Sequence, residues 1–141
     1  MSKLMGVYVD LSPKSPSRTY VLRRRMPHGG PREIYEVYSS SQKNWLVEGL
    51  LKKLALEKDN FYEALCAVDE KWCNDNSRRV HRYFSKNRAE LLVEEKYIKE
   101  FEGYWLNTNP GTGGTKDLLQ EACEAAAVSY GSLREIKIGA T

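Results

Sequence analysis

Four acidic residues stand at the ends of apolar segments or at the edges of predicted helices: Asp10, Glu48, Asp69 and Asp117. An Asp within a buried run such as 4–11 needs a hydrogen-bonding partner or a metal ion, because an unpaired charge is costly to bury. Carboxylate oxygens are the ligands that Mg²⁺ and Mn²⁺ prefer. Each acid also has a structural explanation, as a turn former, a helix surface residue, an N-cap or a first-turn acid that stabilises the helix dipole. Chemistry at these residues requires that they meet in space.

Two segments are rich in basic residues and contain no acid. Between Leu11 and Arg32 the basic residues are Lys14, Arg18, Arg23, Arg24, Arg25 and Arg32; between Ser77 and Ala89 they are Arg78, Arg79, Arg82, Lys86 and Arg88, together with His81. The net charge is only +3, but the electrostatic field depends on local clustering, so these segments predict a polyanion-binding face. The alternative is a pair of solvated surfaces. Successive side chains on a strand alternate between faces, so Arg23–Arg25 cannot all face one way.

The segment Asn109–Lys116 is rich in glycine and precedes a predicted helix, as phosphate-binding loops do. In those loops a Lys precedes the Ser or Thr and thereby reaches the outer phosphates. Here Lys116 follows Thr115. We therefore interpret 107–115 as a flexible loop rather than a nucleotide site.

The elements that must position these side chains follow from the apolar periodicity. An antiparallel meander of three strands is expected over 4–11, 18–26 and 32–38, followed by an amphipathic helix over 42–57. Residues 61–68 suit either a strand or a helix. Beyond them we expect helices over 70–87, 89–101 and 116–128, with Thr115 as the cap of the last, and short strands over 102–106 and 133–138.

Length and composition predict a single domain over residues 1–141. The chain is 41% hydrophobic and 29% charged, which suits one folded core. No apolar run reaches the roughly 18 residues that a membrane helix needs, and the N-terminus is too quickly polar for a signal peptide, so we expect a cytoplasmic protein without membrane contact. Three cysteines without a CxxC pair, and two histidines, support neither a disulfide framework nor a zinc site.

The order of these elements and four local sequences resemble type 1 ribonuclease H. Val7-Tyr8-Val9-Asp10-Leu11-Ser12 is similar to the first-strand motif of that family, and 38–44 before Glu48 resembles the entry to its glutamate helix. Residues 68–72 are similar to its motif of an apolar residue, Asp, two polar residues and an aromatic, and 111–114 before Asp117 resembles its glycine loop and last Asp. The spacing of the acids is close to that of compact, retroviral-like members. The resemblance covers about residues 4–129 and favours a strand over 61–68.

The resemblance implies an α/β fold of the ribonuclease H type, with a five-stranded mixed sheet of three antiparallel and two parallel strands flanked by helices. It implies that Asp10, Glu48, Asp69 and Asp117 meet and hold two Mg²⁺ or Mn²⁺ ions, which neutralise four mutually repelling carboxylates. Asp10 would bridge both ions, Asp117 would help hold the ion that activates the attacking water, and Glu48 with Asp69 would hold the ion beside the leaving 3′ oxygen. The implied reaction is endonucleolytic hydrolysis of the RNA strand of an RNA/DNA hybrid by a monomer. Substrate contacts would come from Asn44, Arg78, Arg79, Arg82, Lys86 and Arg88.

Two departures from the family pattern favour another function. The segment Ser12–Ser17 replaces the glycine-rich turn that the family usually has after its first Asp. Asn107, Thr108 and Asn109 stand where the family has a catalytic-loop histidine. The alternative is a nucleic-acid-binding or protein-interaction module on the same fold that has lost catalysis, or a phage-type inhibitor without a metal site.

Overall fold

The computed structural model describes residues 3–11, 18–26, 32–77, 82–91 and 93–135. Contacts within the chain divide it into two compact units, residues 1–53 with 127–141 and residues 54–126. The described residues form a mixed α/β structure of two sheets and three α-helices. In these ranges no helix has both the length and the apolar character needed to cross a bilayer.

The first unit contains a four-stranded mixed sheet, in which Glu33–Ser40 and Ser129–Ser132 are the two edge strands. Strands β1 (Lys3–Asp10), β2 (Arg18–Arg25) and β3 (Glu33–Ser40) form the antiparallel meander that the sequence predicts. Strand β7 (Ser129–Ser132) lies parallel to β1, with Gly131 opposite Tyr8. The strand expected over 133–138 is therefore misplaced: Leu133–Glu135 form a 3-10 turn, and 136–138 lie outside the described residues.

Helix α1 (Lys43–Glu57) covers one face of this sheet. On that face the rings of Tyr20 and Tyr38 stack with centroids 4.9 Å apart, and the Lys53 ammonium group lies 4.9 Å from the centroid of Tyr38. Leu46 and Leu50 of α1 are fully buried, as the amphipathic pattern requires. The helix prediction over 42–57 is confirmed to within one residue.

The second unit is built from two helices and a small sheet. Helix α2 (Phe61–Asp75) packs against helix α3 (Gly111–Ala126). Strands β4 (Phe84–Ser85), β5 (Ile98–Phe101) and β6 (Tyr104–Asn107) form an antiparallel sheet in the order β4-β6-β5. The ring of Tyr62 on α2 contacts the rings of Phe84, Phe101 and Tyr104.

The strand prediction over 61–68, which the resemblance favours, is wrong. Helix α2 spans this segment, and its buried residues repeat every four positions: Phe61, Leu65, Asp69 and Cys73. The helical alternative for 61–68 is therefore the correct one. The helix expected over 70–87 stops at Asp75, and Ser77 has a left-handed φ of 57°. Residues 84–85 are a strand instead.

Two further predictions in the second unit require correction. Residues 89–101 form two 3-10 turns and strand β5 rather than a helix, because Glu102 and Gly103 both have positive φ and close a tight β5–β6 hairpin. Helix α3 begins at Gly111, so only part of the expected loop 107–115 is irregular, and the Thr115 hydroxyl donates to the Gly111 carbonyl inside the helix at 2.8 Å. The strands of the described residues are divided between two sheets, so the expected single five-stranded sheet is also incorrect.

Candidate functional site

Asp69 is a fully buried carboxylate on the inner face of α2. Its Oδ2 accepts hydrogen bonds from three successive backbone N–H groups, those of Arg82, Tyr83 and Phe84, at 3.0, 3.2 and 3.4 Å. A buried carboxylate oxygen needs hydrogen-bond donors, and these three N–H groups supply them. Asp69 therefore fixes the segment that leads into β4 against α2.

The guanidinium group of Arg82 lies among three carboxyl groups. Its Nε is 3.6 Å from Asp69 Oδ1, its Nη1 is 3.7 Å from Asp117 Oδ2, and its Nη2 donates to Glu121 Oε1. The guanidinium carbon also lies 3.2 Å from the centroid of the Trp72 ring. The Arg82 side chain is only 13% exposed. We call Asp69, Trp72, Arg82, Asp117 and Glu121 the Arg82 cluster.

Glu121 is the most perturbed acid of this cluster. Burial, followed by the charge of Asp69, raises the pKa of Glu121 to about 8, and the opposing effect of Arg82 is smaller than that of burial. Glu121 is therefore mostly protonated at neutral pH.

Tyr83 connects the cluster to the half-exposed Asp117. The hydroxyl of Tyr83 donates to Asp117 Oδ2 at 3.2 Å. Burial raises the pKa of Tyr83 to about 12, so this donor keeps its proton at any physiological pH. Asp117 thus has both a neutral donor and the Arg82 guanidinium close to the same oxygen.

A cavity of about 370 Å³ lies beside the cluster, between α2 and α3. Helix α2 contributes residues 68, 71, 72 and 75, and helix α3 contributes residues 117, 120, 121 and 124. Both sets follow the spacing i, i+3, i+4, i+7, so each helix presents one face to the cavity. Arg82 completes the lining.

Asp69 and Asp117 do not fit the role of Mg²⁺ ligands that the resemblance implies. Oδ2 of Asp69 accepts three N–H donors, and the Arg82 guanidinium lies between Asp69 and Asp117 where a cation would be needed. Across the described part of the chain, no group of three or more His, Cys, Asp or Glu residues is arranged to hold a metal ion. The positive charge that these acids require is supplied by Arg82.

The remaining predicted site residues are carried by other elements. Asp10, opposite Thr19 at the end of β1, and Glu48, within α1, belong to the first unit, whereas Asp69 and Asp117 belong to the second. Asn44 is exposed near the start of α1, and Lys86 is exposed just after β4. Arg78 and Arg79 lie outside the described residues. Arg82 is not available to phosphates, because it is buried among the carboxyl groups of its cluster.

Asn107, which stands where the resemblance would place a histidine, has a structural role. Its Nδ2 donates to the Arg82 carbonyl oxygen at 3.1 Å, and its backbone N–H donates to the Tyr83 carbonyl at 2.9 Å. Its Oδ1 accepts the N–H of Asn109 at 2.9 Å. Asn107 therefore attaches the end of β6 to the segment that carries Arg82.

Sequence analysis identified Asp69, Arg82 and Asp117 but missed Glu121 and Trp72. Glu121 lies one helical turn after Asp117, and Trp72 lies about one turn after Asp69 on α2. The i, i+4 spacing of two acids on one helix was therefore the available signal. The apolar pattern around Glu121 does not reveal its burial, because burial here depends on the packing of α3 against α2.

A second candidate surface lies at one end of the first unit's sheet. The register places Lys3 opposite Arg25, Arg25 opposite Glu33, and Arg23 opposite Tyr35. Arg32 immediately precedes β3. We call Lys3, Arg23, Arg25, Arg32 and Tyr35 the basic strand end.

Arg24 does not belong to this surface. Its guanidinium group forms an ion pair with Glu36, which also accepts the hydroxyl of Tyr38 on the face that α1 covers. Arg23 instead lies over the ring of Tyr8 on the opposite face, with 6.0 Å between the guanidinium carbon and the ring centroid. The predicted division of Arg23–Arg25 between the two faces is confirmed.

Comparisons of the chain with protein-family models, with curated proteins and with solved structures find no match. The functional assignment therefore depends on the two surfaces described above. The Arg82 cluster offers buried, internally paired charge beside a cavity. The basic strand end offers exposed positive charge.

Proposed function

We propose that the chain binds nucleic acid through the basic strand end of its first unit. The observation that carries this proposal is the β1–β2–β3 register, which collects Lys3, Arg25 and Arg32 at one end of three paired strands. All three of these residues are exposed, and Arg23 is partly exposed. Arginine and lysine side chains provide most of the phosphate contacts in protein complexes with nucleic acids.

The positive charge of this surface is only weakly compensated. Glu33 is the one acid in 3–6, 23–25 and 32–35, and its carboxylate lies 4.0 Å from Arg23 Nε, too far for a strong hydrogen bond. Glu36 does not compensate this charge, because it forms an ion pair with Arg24 on the other face of the sheet. A phosphate backbone is therefore attracted to this end of the sheet.

Tyr35 gives the same surface a ring for stacking. It lies on the face of Arg23, because residues directly opposite in antiparallel strands share a face. Val37, two residues further along β3, is 52% exposed and extends the apolar area. Aromatic rings beside basic residues are the usual means of binding single-stranded nucleic acid with little sequence preference.

The double substitution Arg23→Gln with Arg25→Gln tests the proposal. We expect binding to fluorescently labelled single-stranded RNA, single-stranded DNA, RNA/DNA hybrid and duplex DNA to weaken about tenfold or more at low salt. Loss of two phosphate contacts should also reduce the slope of log K against log [salt] by about 1.4 to 1.8. Fluorescence anisotropy titrations between 50 and 200 mM salt measure both quantities.

The matched control removes two exposed lysines of the second unit, Lys99→Gln with Lys116→Gln. It changes the net charge by the same amount, so its effect reports the general electrostatic contribution. Equal losses in the two double variants would contradict the proposal. An unchanged salt slope in the arginine variant would contradict it as well.

Hydrolysis of the RNA strand of a hybrid, with Mg²⁺ as cofactor, is the second candidate function. It is supported by the start of the chain, where strands β1–β3 and helix α1 follow the order of the ribonuclease H fold and carry Asp10 and Glu48. The carboxylates of the second unit do not fit metal-dependent hydrolysis, because Arg82 forms ion pairs with Asp69 and Asp117. The hybrid binding assay, repeated with Mg²⁺ and with the Asp10→Asn variant, distinguishes the two functions: cleavage that Asp10→Asn abolishes supports the nuclease.

A further inference from the structure

We propose that the cavity between α2 and α3 is a binding site for an organic cation, an ammonium or guanidinium group that donates hydrogen bonds to Glu121. The site belongs to the second unit and shares no residue with the basic strand end. Cation binding in this cavity can therefore be tested independently of nucleic-acid binding. The proposal rests on the shape of the cavity, the burial of Glu121 and the balance of charge around it.

The cavity is an open groove between two helices. One continuous face of α2 and one of α3 line it. Its volume of about 370 Å³ falls in the range of small-ligand sites, about 300 to 1,000 Å³. Trp72 and Val68 supply apolar surface for the carbon chain of a ligand.

Glu121 is the polar group in this groove that the protein satisfies only in part. It lines the cavity, it is 7% exposed, and its Oε1 accepts from Arg82. Its Oε2 is buried and receives no hydrogen bond from any donor in the described residues. A buried carboxylate oxygen without a donor is costly, so the site favours either a proton or a ligand that brings its own donor.

The charge around the groove favours a positively charged ligand. Besides Glu121, three acids line it, Asp75, Asp117 and Glu124, against two cations, Lys71 and Arg82. Arg82 is already engaged by the fully buried Asp69, which adds a further negative charge behind the lining. An anionic ligand would meet repulsion from most of the walls.

Binding of the cation is coupled to release of a proton. Without a ligand, burial and the charge of Asp69 raise the pKa of Glu121 to about 8, so its carboxyl group holds a proton at neutral pH. An entering ammonium or guanidinium N–H donates to Oε2 of Glu121, and the carboxyl proton leaves to the solvent. The affinity should therefore rise as the pH increases from 6 to 9.

Isothermal titration calorimetry of the full chain tests the site. The probes are acetyl-arginine amide and acetyl-lysine amide, which represent basic protein side chains, and spermidine, which represents a free polyamine. We expect saturable binding by at least one probe at pH 8 in low salt. Titrations in two buffers of different ionisation enthalpy should show release of close to one proton at pH 7.

Two matched variants decide the assignment. Glu121→Gln retains the shape of the side chain but places an amide in the groove, so we expect the affinity to fall about tenfold or more and proton release to disappear. Glu63→Gln is the matched control, because Glu63 is an exposed acid on the opposite side of α2. It precedes Trp72 by nine residues, which places it half a turn around the helix from the groove. This variant should leave binding unchanged.

Three results would overturn the proposal. These are no saturable binding of any probe up to 50 mM, equal binding by wild type and Glu121→Gln, or equal losses in Glu121→Gln and Glu63→Gln.

Magnesium chloride is titrated in parallel. Saturable binding of Mg²⁺ that Glu121→Gln removes, with no organic cation bound, would assign the groove to a metal ion instead. A preference for the two amides would identify a protein side chain as the source of the cation, and a preference for spermidine would identify a small molecule.

Discussion

Asp69→Ala should lower the free energy of unfolding by about 3–5 kcal/mol, the loss typical of removing one partner of a buried ion pair. The substitution removes the acceptor of three backbone N–H groups, those of residues 82–84. It also leaves the Arg82 guanidinium, only 13% exposed, without its most deeply buried counter-charge. Both groups would remain out of contact with water, so the cost is that of unpaired buried polar atoms rather than of one lost contact.

Urea denaturation monitored by tryptophan fluorescence measures this loss. Glu70→Ala, the exposed acid next to Asp69 on α2, is the matched control and should change stability by no more than about 0.5 kcal/mol. Asp69→Asn should fall between the two, because the amide oxygen still accepts the backbone N–H groups while the charge opposite Arg82 is lost. A loss below about 1 kcal/mol for Asp69→Ala would show that Asp69 does not hold residues 82–84 against α2.

The first half of the fold was predictable because its elements have clear local signals. Strands β1 to β3 contain Val, Ile and Tyr and are separated by segments that contain Pro, and α1 carries Val47, Leu50, Leu51 and Leu54 at helical spacing. The second half was not predictable in the same way. Its helix α2 buries Asp69 on the same stripe as Phe61 and Leu65, and a charged residue on an apolar stripe suggests the end of a segment rather than its interior.

The β5–β6 hairpin illustrates a second cause of error. Lys99, Glu100 and Glu102 have no strand preference and favour a helix when they are read locally. The Glu102–Gly103 turn and the contact of Tyr62 with Phe101 and Tyr104 outweigh that preference in the folded chain. Tertiary packing of aromatic rings decides this element, and one sequence does not contain that information in local form.

The candidate site was predictable in its acids but not in its cation. Asp69 and Asp117 stand at the boundaries of predicted elements, and in the structure both form ion pairs with Arg82. Arg82 lies in a basic segment, which favours a solvent-facing role in contact with phosphates. Its pairing with acids 13 and 39 residues away depends on how α2, β4 and α3 pack, as does the burial of Glu121.

Glu121→Gln should remove a large pH dependence from the stability of the protein. The pKa of Glu121 is raised from 4.5 to about 8, so the native state holds this proton where the unfolded state has lost it. The stabilisation that this bound proton gives the native state is fully present below pH 4.5 and is lost as the pH rises towards and through 8. Over that window the free energy of unfolding of the wild type should fall by up to about 1.4 kcal/mol per pH unit.

The glutamine variant reproduces the protonated acid at every pH. Its carbonyl oxygen can accept from Arg82 as Oε1 of the acid does, and its amide stays neutral across the whole pH range. We therefore expect the two proteins to be equally stable near pH 5.5 and the variant to be more stable by about 2–3 kcal/mol at pH 8. The tyrosine that faces the same cluster, Tyr83, has its pKa raised to about 12 by burial and does not titrate in this range.

Urea denaturation at half-unit steps from pH 5.5 to 8.5 measures the difference in free energy of unfolding between the two proteins, in which the groups common to both cancel. Glu124→Gln, which removes an exposed acid on the next turn of α3, is the matched charge control. Parallel curves for wild type and Glu121→Gln would mean that Glu121 is ionised in the native state. In that case the negative charge of Glu121 would add to those of Asp69 and Asp117 around Arg82, the groove would offer an ionised carboxylate without proton exchange, and cation binding there would not release a proton.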